Sequence, residues 1–574
     1  MGTSQGGCVA KAAKNKLGKS EKDRQKAHKR AVRAAFRYAG FERVTELAEK
    51  TFTFNDQTGE FDDAFLLENV LLLVEYTVHG PESVKAHLKK KKLFHDYINA
   101  DKAALFKFLR GKYPLFDSRI KEGGEFPLPR LVLKVVYCSL EDFEADTKKH
   151  FGDLLFFDFP VVKYFEKIAR TIRFSARAEL LNFLGIDPNA VRQEGGFVPG
   201  GSSDPYRGSV LPEEASGLPE GYKVVSFYAD PASLLKRCFV LRRSGWRAST
   251  EAYQRMLLPS KIEALRKMVF EEKRVAINNL IVTLPPSVHP VDEQGKTVDV
   301  SELSQTAPVK IQLPSDPNTM GVIDGQHRLF AYYISKKDTV EQDSLRKMQN
   351  LLVTGVIYPD GVSELERERF EASLFLSINS NQTSASSELT QEIQVLIDPF
   401  DPISIAKQVM HRLAESQPLF GHVERYFYEK GKLKTSSIVS YGLKPLVKLS
   451  GADSLFSKFN HPSKDGLSNA SSKVALEAYV DFCANSISHF LKAVKYDVAA
   501  ERWTTDRKEK ERILTVTYVN AFLITMRRIL EKGGSLDPVH LKTKLAGVSK
   551  FNFKAFHSSQ YNKMADKIYD KHFA

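Results

Sequence analysis

The stretch Asp324-Gly325-Gln326-His327-Arg328 sets residues with little reason to share a core between an apolar approach, Met320-Gly321-Val322-Ile323, and an apolar run with helical spacing, Leu329-Phe330-Ala331-Tyr332-Tyr333-Ile334. Such a pattern has to turn from a buried strand into a helix at the pentapeptide, so this part of the chain is an α/β unit. At that turn the first helical N–H groups lack intrahelical partners and carry partial positive charge, which favours an anion. Gly325 lets a ligand approach the backbone, Arg328 offers a planar fork for two phosphate oxygens, and His327 exchanges a proton near neutral pH. The competing reading is an Asp N-cap followed by a solvated arginine.

Two further blocks accompany the turn: Tyr253-Gln254-Arg255 ahead of Ile277-Asn278-Asn279-Leu280-Ile281-Val282, and Phe375-Leu376-Ser377-Ile378-Asn379-Ser380-Asn381-Gln382-Thr383 after it. In this order the three blocks resemble the DGQHR-domain proteins, which include the DndB-type proteins of DNA modification systems and are distantly similar to ParB and sulfiredoxin. The resemblance runs over residues 225–450. It implies a nucleotide-responsive, DNA-associated module with a nucleoside triphosphate as ligand, held by Gly325, Gln326, Arg328, Arg255, Asn379, Asn381 and Gln382. Asp324, His327 and Arg328 are then its candidate catalytic residues. Sulfiredoxin-like relatives carry a reactive Cys at this turn; Gln326 stands there in this chain, which argues against thiol chemistry. Read without the resemblance, Asn379, Asn381 and Gln382 either contact a base or ribose or form a polar loop that caps a helix beginning near Ser384 to Ser387. Arg255 either reaches phosphate or lies along a helix surface.

A second candidate site lies earlier. Phe61 to Leu67 and Val70 to Val78 read as apolar strands joined around Glu68-Asn69. A hairpin centred near Asn69 sets Asp63 opposite Glu75 and, by period-two alternation, puts Asp63, Glu75 and Thr77 on one side of the sheet. Two opposed carboxylates repel unless a cation or proton lies between them, and magnesium suits that place. The arrangement resembles the PD-(D/E)XK nuclease core over residues 30–185, with Thr77 where the catalytic Lys is expected. Lys85, Lys89 or Lys90, on a helix beginning near Pro81, is a candidate substitute; the Lys89–Lys92 run is otherwise a solvated or DNA-facing stripe. Leu131 to Tyr137 reads as a further core strand and Phe157 to Leu184 as helical closure.

At 574 residues the chain exceeds one ordinary core, and a hydrophobic fraction of 42% with 11% aromatics supports packed domains rather than disorder. The expected fold class is multi-domain α+β: a basic tail at 1–30, a restriction-endonuclease-like domain at 31–190, a linker at 191–222, a ParB/sulfiredoxin-like domain at 223–400, and a mainly helical region at 401–574. Within these, a helix should end at Gly40 and another start near Glu42. The polar interval between Pro285 and Pro317 reads as an excursion that could cover a ligand. In the last region Ile438–Leu449, Val474–Val494 and Ile513–Leu530 are the clearest helices, with Trp503 and Tyr518 as core residues or base-stacking groups. A net charge of +14 favours a polyanionic partner. Four widely separated cysteines imply neither zinc nor disulfides, and no apolar stretch approaches membrane-spanning length, so a cytoplasmic location is expected. These features point to a DNA-directed protein of a modification, restriction or defence system, working with DNA, a nucleotide and partner proteins of that system. It is either an enzyme, a magnesium-dependent deoxyribonuclease or nucleoside triphosphatase, or a non-enzymatic DNA-binding regulator with a degenerate site.

Overall fold

The computed structural model describes residues 6–77, 81–122, 128–140, 145–191, 204–242, 256–380, 387–426, 428–462 and 464–574. Described residues up to Val362 form one compact unit, and those from Ser363 to Ala574 a second. Both helices and sheets are present, as an α+β class requires. Among the described residues no helix is long and apolar enough to cross a membrane.

The first unit begins with a helix, α1 (Gly6–Tyr38), that already includes the basic segment expected as a tail. It ends before Gly40, whose φ of +101° is a conformation that favours glycine. The helix expected near Glu42 is instead a short strand, β1 (Glu42–Arg43), because this backbone pairs antiparallel with Leu66 and Phe65. A small hairpin, β2 (Phe52–Phe54) with β3 (Gln57–Gly59), precedes β4 (Asp63–Leu67) and β5 (Val70–Thr77). The helices α2 (Pro81–Ala100), α3 (Lys102–Lys112) and α4 (Pro114–Glu122) then lead to β6 (Val132–Ser139). After α5 (Ala145–His150) come β7 (Leu155–Phe157) and α6 (Phe159–Ile172). The sheet runs β1-β4-β5-β6-β7, antiparallel through β5 and parallel from β5 to β7.

The register of this sheet is set at Glu68-Asn69. Glu68 adopts a positive φ of 49° and the loop holds these two residues alone, so Leu67 pairs with Val70 and Asp63 with Val74. Asn69 is 1% exposed and its amide donates to the carbonyls of Arg130 and Ala190, which pins the turn to two other segments. One face of the sheet, with Leu71, Leu73, Leu133 and Val135, packs on Leu88, Ile98 and Phe106 of α2 and α3. The other carries Phe65 and Val74 and meets an aromatic group of Phe36, Phe157 and Phe165 from α1, β7 and α6. Each of these fully buried apolar side chains contributes on the order of 1.5–3 kcal/mol.

A second, mixed sheet follows: β8 (Tyr206–Val210), β9 (Lys223–Ala229), β10 (Cys238–Phe239), β11 (Leu280–Leu284), β12 (Pro290–Val291), β13 (Ala307–Ile311), β14 (Met320–Asp324) and β15 (Leu351–Ile357). Its order is β10-β14-β11-β15-β9-β8-β13-β12. The polar interval between Pro285 and Pro317, expected as a covering excursion, belongs to the sheet: Val309 and Ile311 are buried, and β13 pairs with β8 along its length. The helix expected over 329–334 is also shorter. It spans Gln326–Phe330, because the carbonyls of residues 331–333 turn to Arg266 and Arg346 instead of continuing the ladder.

The second unit is mainly helical among its described residues, with Lys473–Asp497 and Val516–Glu531 at the centre of its core. Trp503 is a core residue whose indole N–H donates to the Pro418 carbonyl at 3.0 Å, and Tyr518 packs on Phe553. Lys407 is buried at 1% exposure; its ammonium reaches Glu392 at 3.1 Å and Thr435 at 3.2 Å, and His411 lies 3.2 Å from the same Glu392 oxygen. Removing Glu392 strands a buried cation, which costs about 3–5 kcal/mol. Glu392→Ala should therefore lose hydrogen-exchange protection along the helix Pro402–Glu415, and the apolar pair Lys407→Met with Glu392→Leu should regain most of it. Unchanged protection in the single variant would contradict this.

Candidate active site

With Asp63 paired to Val74, the side chains of Asp63 and Glu75 leave opposite faces of the sheet. The expectation that they face each other is corrected: a two-residue turn replaces a turn centred on Asn69, and the one-residue difference flips the relationship. Asp63 is fully buried toward α1, where Arg33 donates to it at 2.6 Å, Arg43 binds its other oxygen, and the Tyr76 hydroxyl donates at 3.2 Å. A fully buried carboxylate shared by two guanidiniums is a structural anchor, its charge already compensated within the fold.

Asp62, just before β4, meets Glu75 instead: their carboxyls share a hydrogen bond, and Asp62 also lies 3.8 Å from the Lys29 ammonium of α1. Glu75 is 2% exposed, while the Asp62 side chain is one-third exposed and accepts the Tyr76 amide at 2.8 Å. The Lys91 ammonium lies 2.9 Å from one Glu75 oxygen and 2.8 Å from the other. Burial pushes the Glu75 carboxyl up to about 8, against the pull of Lys91 and with the help of Asp62, whose charge and hydrogen bond favour the protonated form. Thr77 continues the same face; its Oγ1 is buried and has no hydrogen-bond partner among the described residues. Tyr137 stands beside Glu75 on β6, and the His95 ring lies 6.0 Å from its ring.

The lysine that reaches Glu75 comes from α2 and is Lys91, not one of the expected Lys85, Lys89 or Lys90. Lys85, Lys89 and Lys90 are exposed. Lys92 bridges Asp96 and Asp153. Lys91 was legible as an inward residue because it shares a helical stripe with the buried Leu88, His95 and Ile98. Asp62 was legible only from the parity of the turn. Two carboxyls and a hydroxyl are hard oxygen donors of the kind magnesium takes, although Lys91 now sits on both Glu75 oxygens. Among the described residues no group of three or more His, Cys, Asp or Glu side chains gathers to hold a metal.

The pentapeptide turn is arranged differently from an open anion cradle. Gly325 has φ +94°, and a Cβ there would stand 2.6 Å from Leu280 Cδ1, so glycine is required by packing as well as backbone. Arg328 donates through Nη2 to Asp324 at 2.8 Å and to the Asn279 carbonyl at 2.6 Å. Its charge is already matched by the carboxylate expected to order the turn. His327 Nε2 accepts the Leu258 amide at 3.1 Å; burial, then Lys261, Arg242 and Arg328, hold the ring down to about 4, so it is neutral near pH 7. Gln326 is 8% exposed and accepts from Arg242, whose guanidinium also binds Glu179 at 2.7 Å, with the Tyr164 hydroxyl on Glu179 in turn. This buried chain ties the turn to the helices that follow β7. Asn379 ends the helix Glu364–Ser380 in the second unit, its amide on the Phe375 carbonyl. Arg255, Asn381 and Gln382 lie outside the described residues.

The raised Glu75 carboxyl has a definite sign in stability. The folded state holds this proton up to about pH 8, whereas the unfolded chain releases it near the ordinary value of 4.5. Stability is full below the lower value and falls as pH rises toward the upper one. Wild type should lose a few kcal/mol relative to Glu75→Gln across that window in denaturant titrations at several pH values. Parallel pH profiles for the two proteins would refute the assignment. No family model, curated protein or solved structure compared with the chain matches it, so function has to be argued from these side chains.

Proposed function

We infer that the protein acts on DNA through the Asp62–Glu75–Lys91 site, as a metal-dependent deoxyribonuclease of a DNA modification, restriction or defence system. The observation that carries the reading is the Lys91 ammonium on a buried Glu75 that faces Asp62, a lysine supplied from α2 where the strand has Thr77. The element order around it supports the same reading: a helix, an antiparallel β1-β4-β5 arrangement, helices, then a parallel β6, which is the order the nuclease resemblance implies. A net charge of +14 supports a polyanionic substrate.

Asp62 and Glu75 would hold magnesium, which when bound supplies charge to the attacked phosphate and lowers the pKa of a water. The chain's own residues do the rest. Glu75 gives up its proton as a cation arrives, since the charge that burial disfavours is then compensated. Lys91, released from Glu75, is placed to neutralise a phosphate oxygen. Asp63 with Arg33 and Arg43 holds β4 in register and takes no part in the chemistry. The module around Asp324–Arg328 is proposed as the nucleotide-responsive part, with Arg328 exchanging Asp324 for phosphate on binding. A second reading, a DNA-binding regulator that no longer cleaves, is favoured by Lys91 filling the place of a cation at both Glu75 oxygens.

Supercoiled plasmid separates the two. With magnesium, wild type should nick it, and Glu75→Gln, Asp62→Asn and Lys91→Ala should each lower the rate by roughly a hundredfold or more, the scale of losing one electrostatic contact to the reacting phosphate. No nicking by wild type with magnesium or manganese, or nicking that survives Glu75→Gln, would leave the regulator.

A further inference from the structure

A cavity of about 410 Å³ opens at the edge of β6, away from the carboxylate pair. It exists because β7 is short: β7 pairs with β6 only over Val136–Cys138, so among the described residues no strand pairs with Leu133–Val135 on that side. Leu154, Leu155 and Phe183 make the apolar walls, and His95, Asn99, Lys102 and Lys134 supply the polar lining. That volume is in the range of small-ligand sites, and an apolar wall with a few convergent polar groups is how such sites are built.

The charges are unbalanced. Lys102 and Lys134 make no ion pair or hydrogen bond among the described residues, and burial together with the charge of Lys102 lowers the Lys134 ammonium from its ordinary value. Two like charges facing one space are stabilised by an anion between them. One acid, Asp153, also lines the cavity, but Lys92 holds it, and that hydrogen bond lowers its carboxyl. His95, 7% exposed, completes the lining on the α2 side.

We propose that this cavity binds a small phosphate monoester of mononucleotide size, its phosphate held between Lys102, Lys134 and Asn99 and its apolar body against Phe183 and the leucines. The site is independent of the carboxylate pair and of the nuclease reading. A terminal phosphate on a DNA strand offers the same chemistry, so the test carries both sources. Calorimetric titration of the full chain with deoxyadenosine monophosphate should show binding that inorganic phosphate competes away. Lys134→Met and Lys102→Met should each weaken it at least tenfold, Lys134→Arg should retain most of it, and Glu75→Gln should leave it unchanged. Melting temperatures of the lysine variants should match wild type, both side chains being at least partly exposed. The proposal is overturned by absence of binding at millimolar nucleotide, by affinity unchanged in both Met variants, or by binding confined to a 5′-phosphorylated oligonucleotide and absent for the free nucleotide.

Discussion

The two-residue turn at Glu68-Asn69 decides what the N-terminal sheet can do. Because alternate side chains of a strand leave opposite faces, the parity of this turn assigns every carboxylate near it to one environment or the other. With Leu67 on Val70, Asp63 goes to the α1 face and becomes a buried ion-pair anchor, while Glu75 goes to the α2 face. The same residues with one more in the loop would put Asp63 beside Glu75 and leave Arg33 and Arg43 without their shared acid. Asn69 secures the choice through two side-chain hydrogen bonds to distant carbonyls. Structure and candidate chemistry are thus separated by a single step of register.

The pentapeptide turn shows the same economy of charge. Its carboxylate, guanidinium, imidazole and amide each have a partner within the fold: Asp324 with Arg328, His327 with the Leu258 amide, Gln326 with Arg242. Through Glu179 and Tyr164 the last of these joins the second sheet to the helices after β7, so the turn's most evident task is mechanical. An anion at Arg328 has to displace Asp324, which makes any nucleotide response there an exchange of partners rather than occupation of an open cradle.

Much of this was readable from the chain. Met320–Ile323 as a strand, α2 beginning at Pro81, β6 over the expected apolar run and the helices around Val474–Val494 and Ile513–Leu530 all follow from periodicity, because each buries one regular face. What failed was parity and long-range pairing. Glu42 lies in a strand because Leu66 is across from it, and Val309 and Ile311 join a sheet whose partner strand β8 lies far back in sequence. The turn after Arg328 stops because Arg266 and Arg346, from separate helices, take its carbonyls. In the candidate site the acid on β5 and a lysine from α2 were legible as types; which acid faces Glu75 and which lysine reaches it depended on the loop count and on the helical phase.

In the proposed reading Glu75, a buried acid whose carboxyl is pushed up to about 8, exchanges its proton and the Lys91 ammonium for magnesium, with Asp62 and not Asp63 beside it. The most direct measurement is magnesium titration calorimetry near pH 7 in two buffers of different ionisation heat, which counts protons released on binding. Wild type should release about one proton per magnesium, as a ligand that must deprotonate requires, and Glu75→Gln should abolish the release along with most of the affinity. Magnesium binding without proton release, or equal affinity in Glu75→Gln, would contradict the account.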